Sequence, residues 1–264
     1  MFDNICKFLA ENFSTDFASW LLGEPITLTE LSPSELSLEP IRADALILLQ
    51  SDQTVLHLEF QTQANTDIPF RMIDYRLRVY RRFPHKRMRQ VVIYLRQNNS
   101  DLVLQNTFSI PGTRHEFEVI RLWEQSTDVF LRTPGLLPFA VLSRTTDPVS
   151  VLNQVATTIE EITESRIQSN IAASAAILAG LVLKKEVIRR ILRAEIMRES
   201  VIYQDILEKG KAEGKAEGKA EALLQVARNL LQTGMPLEQI VMVTGLSAEQ
   251  LGLLQQDGET NPPQ

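Results

Sequence analysis

The chain has 264 residues, of which 44% are hydrophobic and 23% charged, with a formal net charge of −6. That length and mix exclude a wholly disordered chain and allow one sizeable core with an appendage, or two small domains. The single cysteine, Cys6, excludes an internal disulfide framework and a cysteine-based zinc site, and fits a reducing cytoplasm.

Taken in chain order, apolar side chains at Phe2, Ile5, Phe8, Leu9, Phe13, Phe17, Trp20 and Leu21 predict one or two amphipathic helices, ended by Gly23-Glu24-Pro25. This stretch lacks the basic start and small-residue cleavage site of a signal peptide. Pro33 and Pro40 bracket a loop. Strands are predicted over residues 42–49 and 54–61, joined as an antiparallel hairpin by Gln50-Ser51-Asp52-Gln53. Residues 68–83 read as a helix stopped by Pro84, residues 91–95 (VVIYL) as a buried strand, and residues 116–122 as another strand. The order helix, strand, strand, helix, strand, strand predicts an α/β layered core.

From about Asp147 the pattern is helical, with Val151, Val155, Ile159 and Ile162 at helical intervals. The longest apolar run, residues 171–183, falls short of the roughly 20 residues of a membrane helix, so it reads as a buried helix and no membrane partner is expected. Residues 210–221 repeat Gly-Lys-Ala-Glu three times. Each glycine costs a helix about 0.8–1 kcal/mol relative to alanine, which makes the repeat a marginal helix or a hinge. Two uses compete: a small-residue stripe for a partner helix, as in a homo-oligomer, or a tether. Three short helices are predicted over residues 222–231, 236–243 and 247–254, with Ser247 and Gln250 placed as a capping box. They superficially resemble a helix-turn-helix, but without a basic recognition helix direct base reading is not expected. The expected organisation is therefore a core over residues 1–145, a helical extension over 146–209, the repeat over 210–221, a helical module over 222–256 and a frayed tail over 257–264.

The chemistry sits on the predicted hairpin. Side chains on a strand alternate, so Leu56, Leu58 and Phe60 face one way and His57, Glu59 and Gln61 the other. The same parity sets Arg42 and Asp44 on one face of the preceding strand. Paired, Asp44 and Glu59 come within several ångströms, where two carboxylates raise each other's pKa unless a cation lies between them. A hard divalent ion such as Mg²⁺ resolves that conflict; the alternative on alternation alone is an ordinary exposed polar face.

Asp44 followed by Glu59-Phe60-Gln61 resembles the Asp…Glu-x-Lys signature of the PD-(D/E)XK nuclease superfamily. Arg42-Ala43-Asp44, the run from Leu56 to Thr62, and the stretch from Arg71 to Arg76 are similar to the Rpn group, the recombination-promoting nucleases, which are abundant in cyanobacteria. The Gly-Lys-Ala-Glu repeat and the C-terminal module extend the likeness over most of the chain. The resemblance implies a restriction-endonuclease-like core, a mixed sheet flanked by helices, with an all-helical C-terminal extension. It also implies that Asp44, Glu59 and the backbone carbonyl of Phe60 bind Mg²⁺, or Mn²⁺ in its place, to hydrolyse DNA phosphodiesters in the cytoplasm. Gln61 stands where the superfamily usually has lysine; a neutral amide positions water or phosphate by hydrogen bonds alone. Glu11 and His57 are candidate accessory groups, each with an ordinary structural role as the alternative.

Residues 71–96 hold nine Lys or Arg against one acid, Asp74, a local balance of +8 inside a chain of −6. On a helix Arg71, Tyr75 and Arg78 fall within reach of one another and suit contacts with a DNA backbone. The reading is a Mg²⁺-dependent DNA endonuclease; the alternative is a catalytically impaired nuclease-fold protein that binds nucleic acid or a protein partner.

Overall fold

The computed structural model describes residues 2–31, 46–193, 195–197, 199–201, 203–204, 223–231, 235–247 and 251. Asp44, Arg42 and the Gly-Lys-Ala-Glu repeat lie outside the described residues. The chain divides into two compact units, residues 1–203 and 204–264.

The predicted N-terminal helices form as α1 (Phe2–Asn12) and α2 (Ser14–Leu22), and Gly23 ends α2 with a φ of 79°, a left-handed conformation that favours glycine. A short strand, β1 (Thr29–Glu30), precedes the predicted hairpin, β2 (Leu46–Gln50) and β3 (Thr54–Gln61). Helix α3 (Ile68–Arg82) starts with Pro69 in its first turn and ends at Phe83, ahead of Pro84. Strand β4 (Arg87–Tyr94) starts four residues earlier than the apolar run suggests, because Arg87, Met88, Arg89 and Gln90 pair with β3 although they are not a continuous apolar series. A hairpin that hydropathy does not mark, β5 (Thr107–Ile110) with β6 (Thr113–Glu116), turns at Gly112 and precedes β7 (Glu118–Arg121).

The main sheet runs β1-β2-β3-β4-β7. Strands β2 and β3 are antiparallel, and β3, β4 and β7 are mutually parallel, so β3 is a central strand. This is a mixed five-stranded sheet flanked by helices, compatible with an α/β nuclease fold.

Each face of the sheet has its own cover. Ile47, Leu49, Leu56, Leu58, Phe60, Val91, Ile93 and Ile120 join the main core with α1, α2, a 3-10 segment (Pro134–Leu142) and the helices beyond it. Those helices are α5 (Pro148–Glu160), α6 (Ser165–Ala179) and α7 (Lys185–Ile191), reached through the short α4 (Thr127–Leu131). They lie in the range read from sequence as a helical extension, and they share the core of the first unit. The apolar run from Ile171 is buried in α6, as its composition predicts. Among the described residues no helix is long and apolar enough to cross a membrane. The opposite face is covered by α3, whose Ile68, Met72, Tyr75 and Val79 pack on Leu48, Val55, Val92 and Tyr94.

In the second unit, residues 223–231 form α8 and Leu237–Thr244 form α9, closed by Gly245 at a φ of 72°. Ala227, Ile240 and Leu251 make its small core.

Candidate active site

Strand alternation on β3 holds as predicted, but neither face is open. Leu56, Leu58 and Phe60 enter the main core, where the Phe60 ring stacks on Phe139 at 5.8 Å. His57 and Glu59, on the other face, are both 0% exposed beneath α3. An exposed polar face is thus excluded. A fully buried carboxylate needs a counter-charge and hydrogen-bond donors to remain ionised at modest cost.

Helix α3 supplies the counter-charge. The Arg71 guanidinium pairs with Glu59 Oε1, and the Gln61 amide donates to the same oxygen at 3.1 Å. Glu59 Oε2 is buried and has no hydrogen-bond partner. It lies 3.7 Å from Nε2 of His57, which is likewise buried and unpartnered. One carboxylate oxygen is therefore held by two donors and the other is left open.

A third strand fixes the histidine. Gln90, opposite His57 in the β3–β4 register, places its Nε2 2.6 Å from the Met72 carbonyl and 3.0 Å from His57 Nδ1. A carbonyl only accepts, so the Gln90 atom beside it is the NH₂, and its second hydrogen is given to His57 Nδ1. The ring then accepts at Nδ1 and carries its hydrogen on Nε2, the nitrogen 3.7 Å from Glu59 Oε2. This tautomer leaves Nε2 no lone pair for a metal, and at 3.7 Å the N–H stands beside the carboxylate without bonding it. The Tyr75 ring stands edge-on to His57 at 5.2 Å and closes the site from the helix side. Burial pushes the hydroxyls of Tyr75 and Tyr94 above the usual tyrosine range, and the Glu59 charge pushes them further.

The other candidates fall as follows. The β2–β3 register sets Leu46 opposite Glu59, the pairing that parity requires for Asp44 and Glu59 to share a face; Asp44 itself lies outside the described residues. Glu11 pairs with Lys7 on its own helix at 3.5 Å, and Lys7 reaches Glu30 at 3.6 Å. Burial raises the Glu11 pKa, with the Glu30 charge adding to it and Lys7 opposing it. Arg71, Tyr75 and Arg78 do share one side of α3, but Arg71 is engaged by Glu59, Tyr75 is buried, and Arg78 pairs with Asp74 at 2.9 Å. Arg81 and Arg82, one turn further on, are exposed. Among the described residues no three His, Cys, Asp or Glu side chains are grouped as a metal centre. The orphaned Glu59 Oε2 nonetheless has the character of a single metal ligand: anionic, hard and without a protein donor.

Gln90 was missed by sequence reasoning. Its signal is parity: two residues before Val92 and four before Tyr94, it belongs to the α3 face, but only once the strand is extended back from the apolar run.

Residues 220–256 match a family model described as the C-terminal HTH domain of the Rpn/YhgA-like nuclease family. The match falls on α8 and α9 and agrees with the resemblance read for this module, and the helix-turn-helix character treated as superficial in the sequence is part of the family description. No curated protein and no solved structure matches the chain.

Proposed function

We propose that this chain, whose residues 220–256 match the C-terminal HTH domain of the Rpn/YhgA-like nuclease family, is a metal-dependent DNA endonuclease of that family with a PD-(D/E)XK-type core. The observation that carries the reading is Glu59: a fully buried carboxylate on a central strand, one oxygen clamped and the other free. Asp44, Glu59 and the Phe60 carbonyl would hold Mg²⁺, or Mn²⁺ in its place. When bound, the ion would supply Lewis acidity and an activated water.

The chain's own residues account for the rest. Gln61 and Arg71 fix the rotamer of Glu59, so that Oε2 is presented in one direction. His57, held by Gln90, presents an N–H beside that oxygen and limits how far the carboxylate can turn. Arg71 brings to the site the positive charge that a lysine at position 61 would supply, delivered from the helix instead of the strand. A guanidinium there offsets charge on a phosphoryl oxygen, whereas the Gln61 amide is already committed to Glu59. The HTH module adds a second element for holding DNA, in a protein that acts in the cytoplasm and serves recombination.

A second reading, a nuclease-fold DNA binder without catalysis, is favoured by the same Arg71–Glu59 pair, which neutralises the carboxylate internally. Supercoiled plasmid incubated with Mg²⁺ or with chelator separates the two. Nicking that needs the metal and vanishes in Asp44→Asn and Glu59→Gln is expected. Metal-dependent nicking unchanged in both variants would refute the proposed centre, and DNA binding without any cleavage would establish the second reading.

A further inference from the structure

On the α3 side of the sheet, beyond Gln90, the fold leaves a cleft of about 450 Å³ between α3, the first half of β4 and the β5–β6 hairpin. That is the size of an ordinary small-ligand pocket, about 300–1,000 Å³. The hairpin wall is held in place by Phe108 against Phe70 of α3, ring centroids 5.9 Å apart. Arg76, Gln90, Asn106 and His115 line it.

Three features of this lining converge on an anion. Arg76 is anchored by Nη1, which donates to the Met88 carbonyl at 3.0 Å, and among the described residues no carboxylate pairs with it. His115 Nε2 is buried without a hydrogen-bond partner. The two acids on the rim are already neutralised: Glu118 by Arg89 at 2.6 Å and Glu116 by Arg114 at 2.7 Å. The uncompensated charge of the cleft is therefore the Arg76 guanidinium. Its field is felt by His115, whose pKa is lowered by burial first and then by the positive charge of Arg76. A guanidinium with free N–H groups, beside a buried ring nitrogen and an amide, is a donor set for a tetrahedral oxyanion.

We propose that this cleft is a phosphate-binding subsite, with Arg76 and His115 as its donors. The subsite rests on the nuclease reading for its purpose. Gln90 forms part of the cleft and contacts His57, which lies beside Glu59, so two side chains separate a phosphate held here from the proposed reaction centre. The phosphate group is either that of a bound DNA strand or a free phosphate, and the experiment has an arm for each.

The full-length protein in chelator, which prevents cleavage, is titrated with inorganic phosphate at constant ionic strength set by chloride, while the His115 ring resonances are followed by NMR. Phosphate is expected to shift the His115 ring saturably, and Arg76→Gln to weaken that binding by about tenfold or more, the usual worth of a charge-assisted bond. A fluorescent DNA duplex is then bound in chelator across a salt series. If the ligand is a strand phosphate, Arg76→Gln weakens the duplex several-fold and reduces the salt slope by about one. If it is a free phosphate, duplex binding is unchanged and only the inorganic ion is lost; either result supports the subsite. His115 resonances that respond no more to phosphate than to chloride overturn it, as does unaltered phosphate binding in Arg76→Gln. Should Arg76→Gln fail to fold, His115→Asn is judged by weakened phosphate binding in isothermal titration calorimetry, since the ring reporter is gone, and the wild-type titration stands by itself. Glu59→Gln keeps the two readings apart: it is expected to abolish cleavage and leave the phosphate response intact. A missing phosphate response therefore removes the cleft alone, and cleavage surviving Glu59→Gln removes the nuclease centre alone.

Discussion

Arg71→Met tests how the buried carboxylate is held. Removing one partner of a buried ion pair typically costs about 3–5 kcal/mol, because the remaining charge is left uncompensated in a low dielectric. Here Glu59 is 0% exposed and the Arg71 side chain 29% exposed. Water therefore already shields part of the pair, and the Gln61 amide keeps its bond to Oε1, so about 2–3 kcal/mol is the expected loss. Glu59→Gln is the informative contrast. It leaves the unpaired charge on Arg71, which can turn to water, so its cost should stay near 1 kcal/mol. The double variant should resemble Glu59→Gln, because no carboxylate remains to be stranded, and the cycle should show a coupling of about 2–3 kcal/mol. Urea unfolding in chelator, followed by a probe in the first unit, measures all three. Adding Mg²⁺ should stabilise Arg71→Met more than wild type if Glu59 binds the ion, since the competing guanidinium is gone and a ligand specific to the folded state stabilises with the logarithm of its affinity. If Arg71→Met unfolds within 0.5 kcal/mol (about the scatter of an ordinary surface change) of wild type, or Glu59→Gln costs as much, the carboxylate does not depend on this guanidinium and the argument fails.

Gln90→Met keeps the shape of the side chain and removes both donated hydrogen bonds, leaving the buried His57 Nδ1 without a donor; about 1–3 kcal/mol of stability should go, and long-range nitrogen NMR of His57 should lose the pure Nε2–H signature expected of wild type. His115 has its folded pKa depressed below the ordinary 6.5, so below that value the unfolded chain binds more protons than the folded one. Its contribution to stability is full above pH 6.5 and is lost as the pH falls through that value toward the folded pKa; His115→Gln should flatten the melting temperature across that window, and an unchanged pH profile would count against the burial described. Gly135→Ala should destabilise by about 2–4 kcal/mol, because a methyl there meets the Phe13 side chain and crowds Asp16 Oδ2, which accepts from the Gly135 N–H at 2.8 Å. A melting temperature within a degree or two of wild type would show that the α2 contact yields more easily than its geometry implies.

Much of the fold was legible from local pattern. The helices over α1, α2 and α3, the β2–β3 hairpin and its antiparallel sense, and the burial of α6 all follow from periodicity and punctuation, which act over a few residues. The β5–β6 hairpin was not legible: its residues are largely exposed and polar, so no apolar alternation marks them. The start of β4 was likewise hidden, because Arg87 to Gln90 owe their strand conformation to the β3 ladder and not to their own hydropathy.

By itself the sequence determined that His57, Glu59 and Gln61 share a side of one strand, since a period of two needs no knowledge of the rest of the chain. It also determined that a dense run of arginines follows that strand. Which of those arginines serves the site was decided by tertiary structure alone. Charge counting set Arg71, Tyr75 and Arg78 together as a surface for DNA; packing turned Tyr75 inward, gave Arg78 to Asp74 and Arg71 to Glu59. Gln90, 33 residues from His57, joins the cluster only because a parallel strand aligns the two. The physical reason is one of range: alternation and helix phase are local, whereas the partner of a buried charge is whichever group the assembled layers bring against it.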